Sequence, residues 1–232
     1  MSSQPPKPSV TAEDELTAAI GADRALMLRL VREELRPAFE ALWQIDASMG
    51  DVVARATQPA LGAVKLAWWR ERLEELDQGL IPAEPRLRAA AESLLPRGIS
   101  GSDLAALEDG WATLLDAQAE PERMADRGSR LFRLGGRLLG SEDPELDDAG
   151  ALYAFVFLAR RGVDDYLHVF GVNDAVRLSR HRFPRTLRPL TALARLALLD
   201  MRRGPPFEPE GTPPRFAAML RHQWTGIVTW RR

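Results

Sequence analysis

The sequence predicts an all-α protein in one domain. Three observations carry this. Ala, Leu, Arg and Glu, all good helix formers, dominate the 232 residues. Apolar residues recur at helical spacing in one segment after another, while alternating β-branched runs are absent. Pro and Gly fall between these segments, where they start and stop helices.

Taken in order, residues 1–10 are polar and Pro-rich and read as a short disordered leader without an apolar targeting core. The helical domain is expected over residues 11–232. Thr11 is placed to cap a helix through residue 20, and Asp23 to cap the next, over about 24–35. Pro37 interrupts or restarts that helix, which runs on to about residue 56. Pro59 opens a helix ending near residue 78, with Gly79 as its stop. Leu66, Trp69, Leu73 and Leu76 form its apolar stripe, and Trp68 points about 100° away from Trp69. Trp68 therefore lines a central cavity or packs against a neighbouring helix.

Another helix lies within residues 82–95. The next starts at Ser100 or Ser102 and runs to about 117. Residues 121–139 hold Gly128, Gly135 and Gly136 inside a helix, which costs roughly 1 kcal/mol per glycine. Either a ligand or a neighbouring helix approaches that backbone. Residues 143–144 open a long helix reaching about 170, apolar on every face over 152–158 and hence central. Short and amphipathic helices follow over 173–181 and 187–203. A proline-rich loop spans 204–214, and a last helix 215–230.

Composition narrows the chemistry. There is no Cys and only three His, so disulfides, thiolate chemistry and a His-rich metal site are excluded or disfavoured. No nucleophile elbow, P-loop or dinucleotide fingerprint occurs. His168, one turn from Asp164 and Asp165, reads as a structural histidine. Charge is uneven. Residues 1–150 hold 17 Lys+Arg against 27 acids, and residues 151–232 hold 14 Arg against 6 acids. The basic part either docks on the acidic part or offers a face to phosphates or anionic lipid. Arg177, Arg180, Arg182, Arg185 and Arg188 crowd one segment and are the candidate partner or phosphate patch. Trp224, Trp230, Arg231 and Arg232 suit an interfacial foot on a membrane. No nucleic-acid module pattern is present, so that partner is disfavoured. The longest wholly apolar run, nine residues from 151 to 159, is far short of the about 20 a spanning helix needs. The expected location is the cytoplasm, with peripheral contact to the inner membrane as an option.

Residues 24–76 read RALMLRLVREELRPAFEALWQIDASMGDVVARATQPALGAVKLAWWRERLEEL. With Pro59, Ala60, Leu61 and Gly62, then Leu66, Ala67, Trp68, Trp69 and Arg70, this segment resembles the squalene/phytoene synthase family. The run 128–140, GSRLFRLGGRLLG, resembles that family's later small-residue helix. The likeness covers roughly 21–203 and is nearest to the short, divergent members related to the mitochondrial complex I assembly factor. It implies a shortened trans-isoprenyl diphosphate synthase bundle. It also implies two prenyl diphosphates in a central cavity, held through Mg²⁺ by two facing aspartate-rich motifs.

The sequence departs from both motifs. The first, approximately Asp-Asp-x-x-Asp, is met only by Asp46 and Asp51. Five residues apart, they differ by about 140° around a helix and share no face. They read as solvated acids, or as weak metal candidates. The second, Asn-x-x-Arg-Asp-x-x-x-Asp, is met by Arg160 and Arg161 followed by adjacent Asp164 and Asp165. These aspartates are the other weak metal candidates. Arg160, Arg161 and Trp68 are the substrate-binding candidates, with surface or salt-bridge roles as the alternative for the arginines. The expectation is a degenerate member that binds an isoprenoid or prenyl diphosphate, or a protein partner as an assembly factor, with no cofactor. The alternative is an active head-to-head prenyltransferase with unusual ligands and Mg²⁺.

Overall fold

A computed structural model describes residues 12–163 and 172–228. The elements are α1 (Ala12–Ile20), α2 (Ala22–Leu28), α3 (Arg36–Ala54), α4 (Pro59–Leu76), α5 (Pro85–Ser93), α6 (Gly101–Ala105), α7 (Glu108–Ala112), α8 (Pro121–Leu139), α9 (Leu146–Ala159), α10 (Val172–Arg180), α11 (Arg188–Arg203) and α12 (Pro213–Thr225). Among the described residues the only bridge of β type is an isolated one, between Arg182 and Ile227. The expected leader lies outside the described residues.

Local chemistry places most boundaries. Pro59 sits in the first turn of α4 after an extended Gln58. Four turns end with a left-handed Gly, at 79, 98, 140 and 162. At each, paired 6→1 and 5→2 backbone bonds close the end, as where Val163 N–H reaches the Leu158 carbonyl and Gly162 N–H that of Ala159. The Glu84 carboxylate accepts from Leu87 N–H at 2.8 Å and starts α5. Ser100 and Asp103 form a reciprocal capping box on α6.

Several expected boundaries are corrected. The segment expected as one helix over 24–35 stops at Leu28, and Gly21 rather than Asp23 precedes it. Asp23 is buried and its carboxylate is engaged by Arg215, which leaves it no capping role. The segment 100–117 divides into α6, α7 and a 3₁₀ turn, which together bury Leu104, Leu107 and Trp111. The long helix expected to reach residue 170 ends at Ala159, because Gly162 supplies the left-handed stop.

α9 is buried along residues 152–158 and forms the centre of the bundle. It packs most closely on α8. A Cβ on Gly128 would lie 2.2 Å from the Gly150 carbonyl oxygen, so only glycine permits this crossing. Gly135 is likewise faced by Leu190 and Phe39, and Gly136 by Leu146 and Ser141. The α8 glycines therefore admit neighbouring segments. α3 lies alongside with Phe39, Leu42, Trp43 and Met49 buried. α11 and α12 close the opposite side. No described helix is long and apolar enough to cross a membrane.

Candidate functional site

The centre of the bundle is ionic. Asp46, on the inner face of α3, is fully buried. Its carboxylate accepts from Arg127 Nε at 2.8 Å and Nη2 at 2.7 Å, from Arg24 Nη2 at 2.9 Å and from Trp111 Nε1 at 3.1 Å. Arg24 also donates from Nε to the Tyr153 hydroxyl at 2.5 Å. Two buried guanidiniums thus share one carboxylate. Aromatic faces meet the remaining positive charge. Arg24 lies 4.6 Å from the Trp43 ring centroid and 4.8 Å from that of Phe157, and Arg127 lies 3.8 Å from that of Trp111.

Burial by itself would raise the Asp46 carboxyl. The charges of Arg127 and Arg24, with the hydrogen bonds from Arg127 and Trp111, outweigh burial and hold it below the usual carboxylate range. Asp46 is thus neither a solvated acid nor an available metal ligand. A helical reading of α3 contains the signal for this. Phe39, Leu42, Trp43, Asp46 and Met49 follow a 3-1-3-3 spacing, which puts Asp46 on the apolar stripe. Gly50 makes room for the Trp111 ring, which would lie 2.8 Å from a Cβ there.

A second ionic cluster joins the C-terminal helices to α2. Arg215 bonds Asp23 at 2.6 Å and Asp200 at 2.7 Å, all three being buried. Arg160 belongs to this cluster. It donates to Asp200 at 2.8 Å and to the Glu208 carbonyl at 2.7 Å. Its guanidinium is engaged in holding α9 to α11 and the 204–212 loop, which corrects its candidacy for diphosphate binding. Between the two clusters a pocket of about 30 Å³ remains, lined by Arg24, Tyr153, Asp200 and Arg215. That volume suits a water or two. Among the described residues, the space between these clusters is therefore filled by side chains rather than open as the family resemblance implies.

A larger cleft of about 400 Å³ opens beside them, between α1, α3, the turn after α7 and the end of α9. Its walls are largely apolar, with Ile20, Ala47, Val53, Leu114, Phe157 and Leu158 contributing. Arg161 stands at its rim. This guanidinium stacks 3.5 Å from the Phe157 ring centroid and donates to the Phe157 carbonyl at 3.3 Å. Asp51 also faces the cleft, 62% exposed and paired with Arg55 at 3.1 Å. Asp46 and Asp51 therefore lie on different sides of α3, as the spacing requires.

The other candidates separate. Trp68 is 42% exposed on the outer side of α4, against the edge of Trp69, so it neither lines a cavity nor sits in the core. Its backbone phase, about 120° from the mean direction of the stripe of Leu66, Trp69, Leu73 and Leu76, turns it outward. Arg177 is paired with Glu145 at 2.9 Å and with Asp148, which removes it from the expected patch. Arg180, Arg182 and Arg185 are exposed, whereas Arg188 is buried and bonded to backbone carbonyls. Asp164, Asp165, His168, Trp230, Arg231 and Arg232 lie outside the described residues. Among the described residues, no group of three or more His, Asp or Glu is placed to hold a metal ion. Asp46 is saturated by Arg127, Arg24 and Trp111 and lies on another side of α3 from Asp51, so this first pair does not converge on one cation, while the second pair lies outside the described residues.

No curated protein and no solved structure matched the chain. Residues 17–127 match the family model described as squalene/phytoene synthase. This segment runs from α1 to Arg127 within α8, and so includes Arg24, Asp46, Trp111 and Arg127 of the central cluster. α9 and everything after it lie beyond the match. Through this segment, and with an all-helical fold among the described residues, the chain is similar to the squalene/phytoene synthase family.

Proposed function

We propose that this chain is a non-catalytic family member that binds an isoprenoid lipid in the cleft between α1, α3 and α9. One observation carries the reading. The buried carboxylate of the α3 helix is saturated by Arg127, Arg24 and Trp111, and it holds the protein's own cations. A carboxylate in that state has no lone pairs directed at a hard cation. The adjacent cleft has the size and apolar character of a small-molecule site. Arg161 at its rim suits an anionic head group such as a diphosphate, while the apolar walls suit the prenyl chain.

The test uses purified protein with farnesyl or geranylgeranyl diphosphate, with and without Mg²⁺. Saturable quenching of tryptophan fluorescence, without diphosphate release, is expected, since Trp111 lines the cleft. Ala54→Trp, which fills the cleft, is expected to abolish the specific quench. Mg²⁺-dependent diphosphate release that is lost in Asp51→Ala would overturn this reading and make the protein a working head-to-head prenyltransferase.

A further inference from the structure

Residues 175–199 and 211–228 contain no Asp or Glu. The structure brings parts of both stretches to one end of the bundle. Arg188 donates to the carbonyls of Phe183, Gln223 and Trp224 at 3.1, 2.8 and 3.0 Å, which ties the end of α12 to the segment before α11. The bridge between Arg182 and Ile227 fastens the same two segments. Gly226, with φ of 67°, leaves room for the Arg188 guanidinium. Arg182 and Arg185 therefore flank the end of α12, and Arg221 projects from its last turn.

The nearby acids are already engaged. Asp143 is paired with His181 at 2.8 Å, and Glu145 and Asp148 hold Arg177. Among the residues whose side chains are described, no carboxylate lies within ion-pair distance of Arg182, Arg185 or Arg221. The like charges are close enough to be felt. Burial first, then the charges of Arg182 and Arg185, push the Arg188 guanidinium below its ordinary value. Within this acid-free surface stands Trp224, 83% exposed, with Leu220 one turn before it at 40%. The two are four residues apart and share a face of α12.

We propose that this end of the bundle, with Trp224 and Leu220 flanked by Arg182, Arg185 and Arg221, docks on an anionic lipid bilayer. The charge is of one sign, which complements a surface uniformly covered with phosphates. An indole and an aliphatic side chain side by side suit the interfacial region, where both insert beneath the head groups. A single-stranded nucleic acid would use the arginines and the indole but gives Leu220 no base to stack on.

The test is flotation of the full chain with phosphatidylcholine vesicles, with and without phosphatidylserine. Binding only to the anionic vesicles, weakening as salt rises, is expected. Each arginine near the surface contributes about a fivefold change, so Arg182→Gln, Arg185→Gln and Arg221→Gln together lower partitioning roughly a hundredfold. Trp224→Ala lowers it roughly tenfold. Arg203→Gln, which removes an exposed arginine paired with Glu208, leaves it unchanged. All these side chains are exposed, so circular dichroism of the variants should match that of the parent. The proposal is overturned if the chain does not float with anionic vesicles, or if the triple variant floats equally well. Tighter binding to a single-stranded oligonucleotide at the same salt would assign the surface to nucleic acid instead.

Discussion

Replacing Asp46 with Asn tests the central cluster most directly. The substitution keeps the shape and removes one negative charge. The carboxylate has no solvent exposure, nor does the Arg127 side chain, and that of Arg24 is 3% exposed. Both guanidiniums would stay buried with no counter-ion. Breaking one buried pair costs about 3–5 kcal/mol, and two cations depend on this anion, so about 5 kcal/mol is expected. A chain of this size loses about 2–4 °C of Tm per kcal/mol, which gives a fall of roughly 10–20 °C. Urea unfolding at pH 7, followed by circular dichroism, measures it. The companion variant joins Arg24→Met, Asp46→Leu and Arg127→Met. It removes all three charges and should recover most of the loss, because well-packed apolar groups replace buried ion clusters at little cost. A loss below about 1 kcal/mol in Asp46→Asn would refute the argument, since water must then reach the guanidiniums. The same carboxylate sets an acid limit. Its folded pKa lies below the about 3.9 of an unfolded Asp, so its contribution is complete above that value. It is lost as pH falls through the lower folded value.

Two further outcomes follow from the packing. His222 is fully buried against Thr191 at 2.8 Å, and burial, then Arg195 and Arg188, depress its pKa to about 4. The unfolded chain therefore binds the extra proton first, and stability falls by about 3 kcal/mol as pH drops from about 6.5 to 4. His222→Gln should flatten urea midpoints across that window, and an unchanged slope would remove the histidine from the account. Gly128→Ala forces a methyl to within 2.2 Å of the Gly150 carbonyl oxygen and should cost about 3 kcal/mol. Gly140→Ala meets nothing within 4 Å and carries only left-handed strain, about 1 kcal/mol. Equal losses of Tm in the two would contradict the tight α8–α9 crossing.

Much of the fold is legible along the chain. Pro59, Ser100 and the left-handed glycines at 79 and 140 act on their own neighbours, so boundaries there can be read from a few residues. Gly162 carried the same signal, yet the apolar run before it suggested a longer helix. Asp23 shows why such reading fails elsewhere. As an acid near a helix start it looks like a cap, but its partner, Arg215, is 192 residues away. Trp68 fails for a related reason. Its phase on α4 is evident, but which neighbours cover that phase is not.

The candidate site divides along the same line. Sequence by itself determined that the chain is helical, that Asp46 and Asp51 cannot share a face, and that its C-terminal part is rich in arginine. Each depends on residue identity and helical geometry, which are local. Only the tertiary structure decided that Asp46 meets Arg24, Trp111 and Arg127, at separations of 22, 65 and 81 residues. It likewise decided that Arg160 and Arg177 have carboxylate partners, while Arg182, Arg185 and Arg221 stand clear of any described carboxylate. An ionic group's role depends on its surroundings once water is removed. Those surroundings come from segments that meet only when the chain has folded.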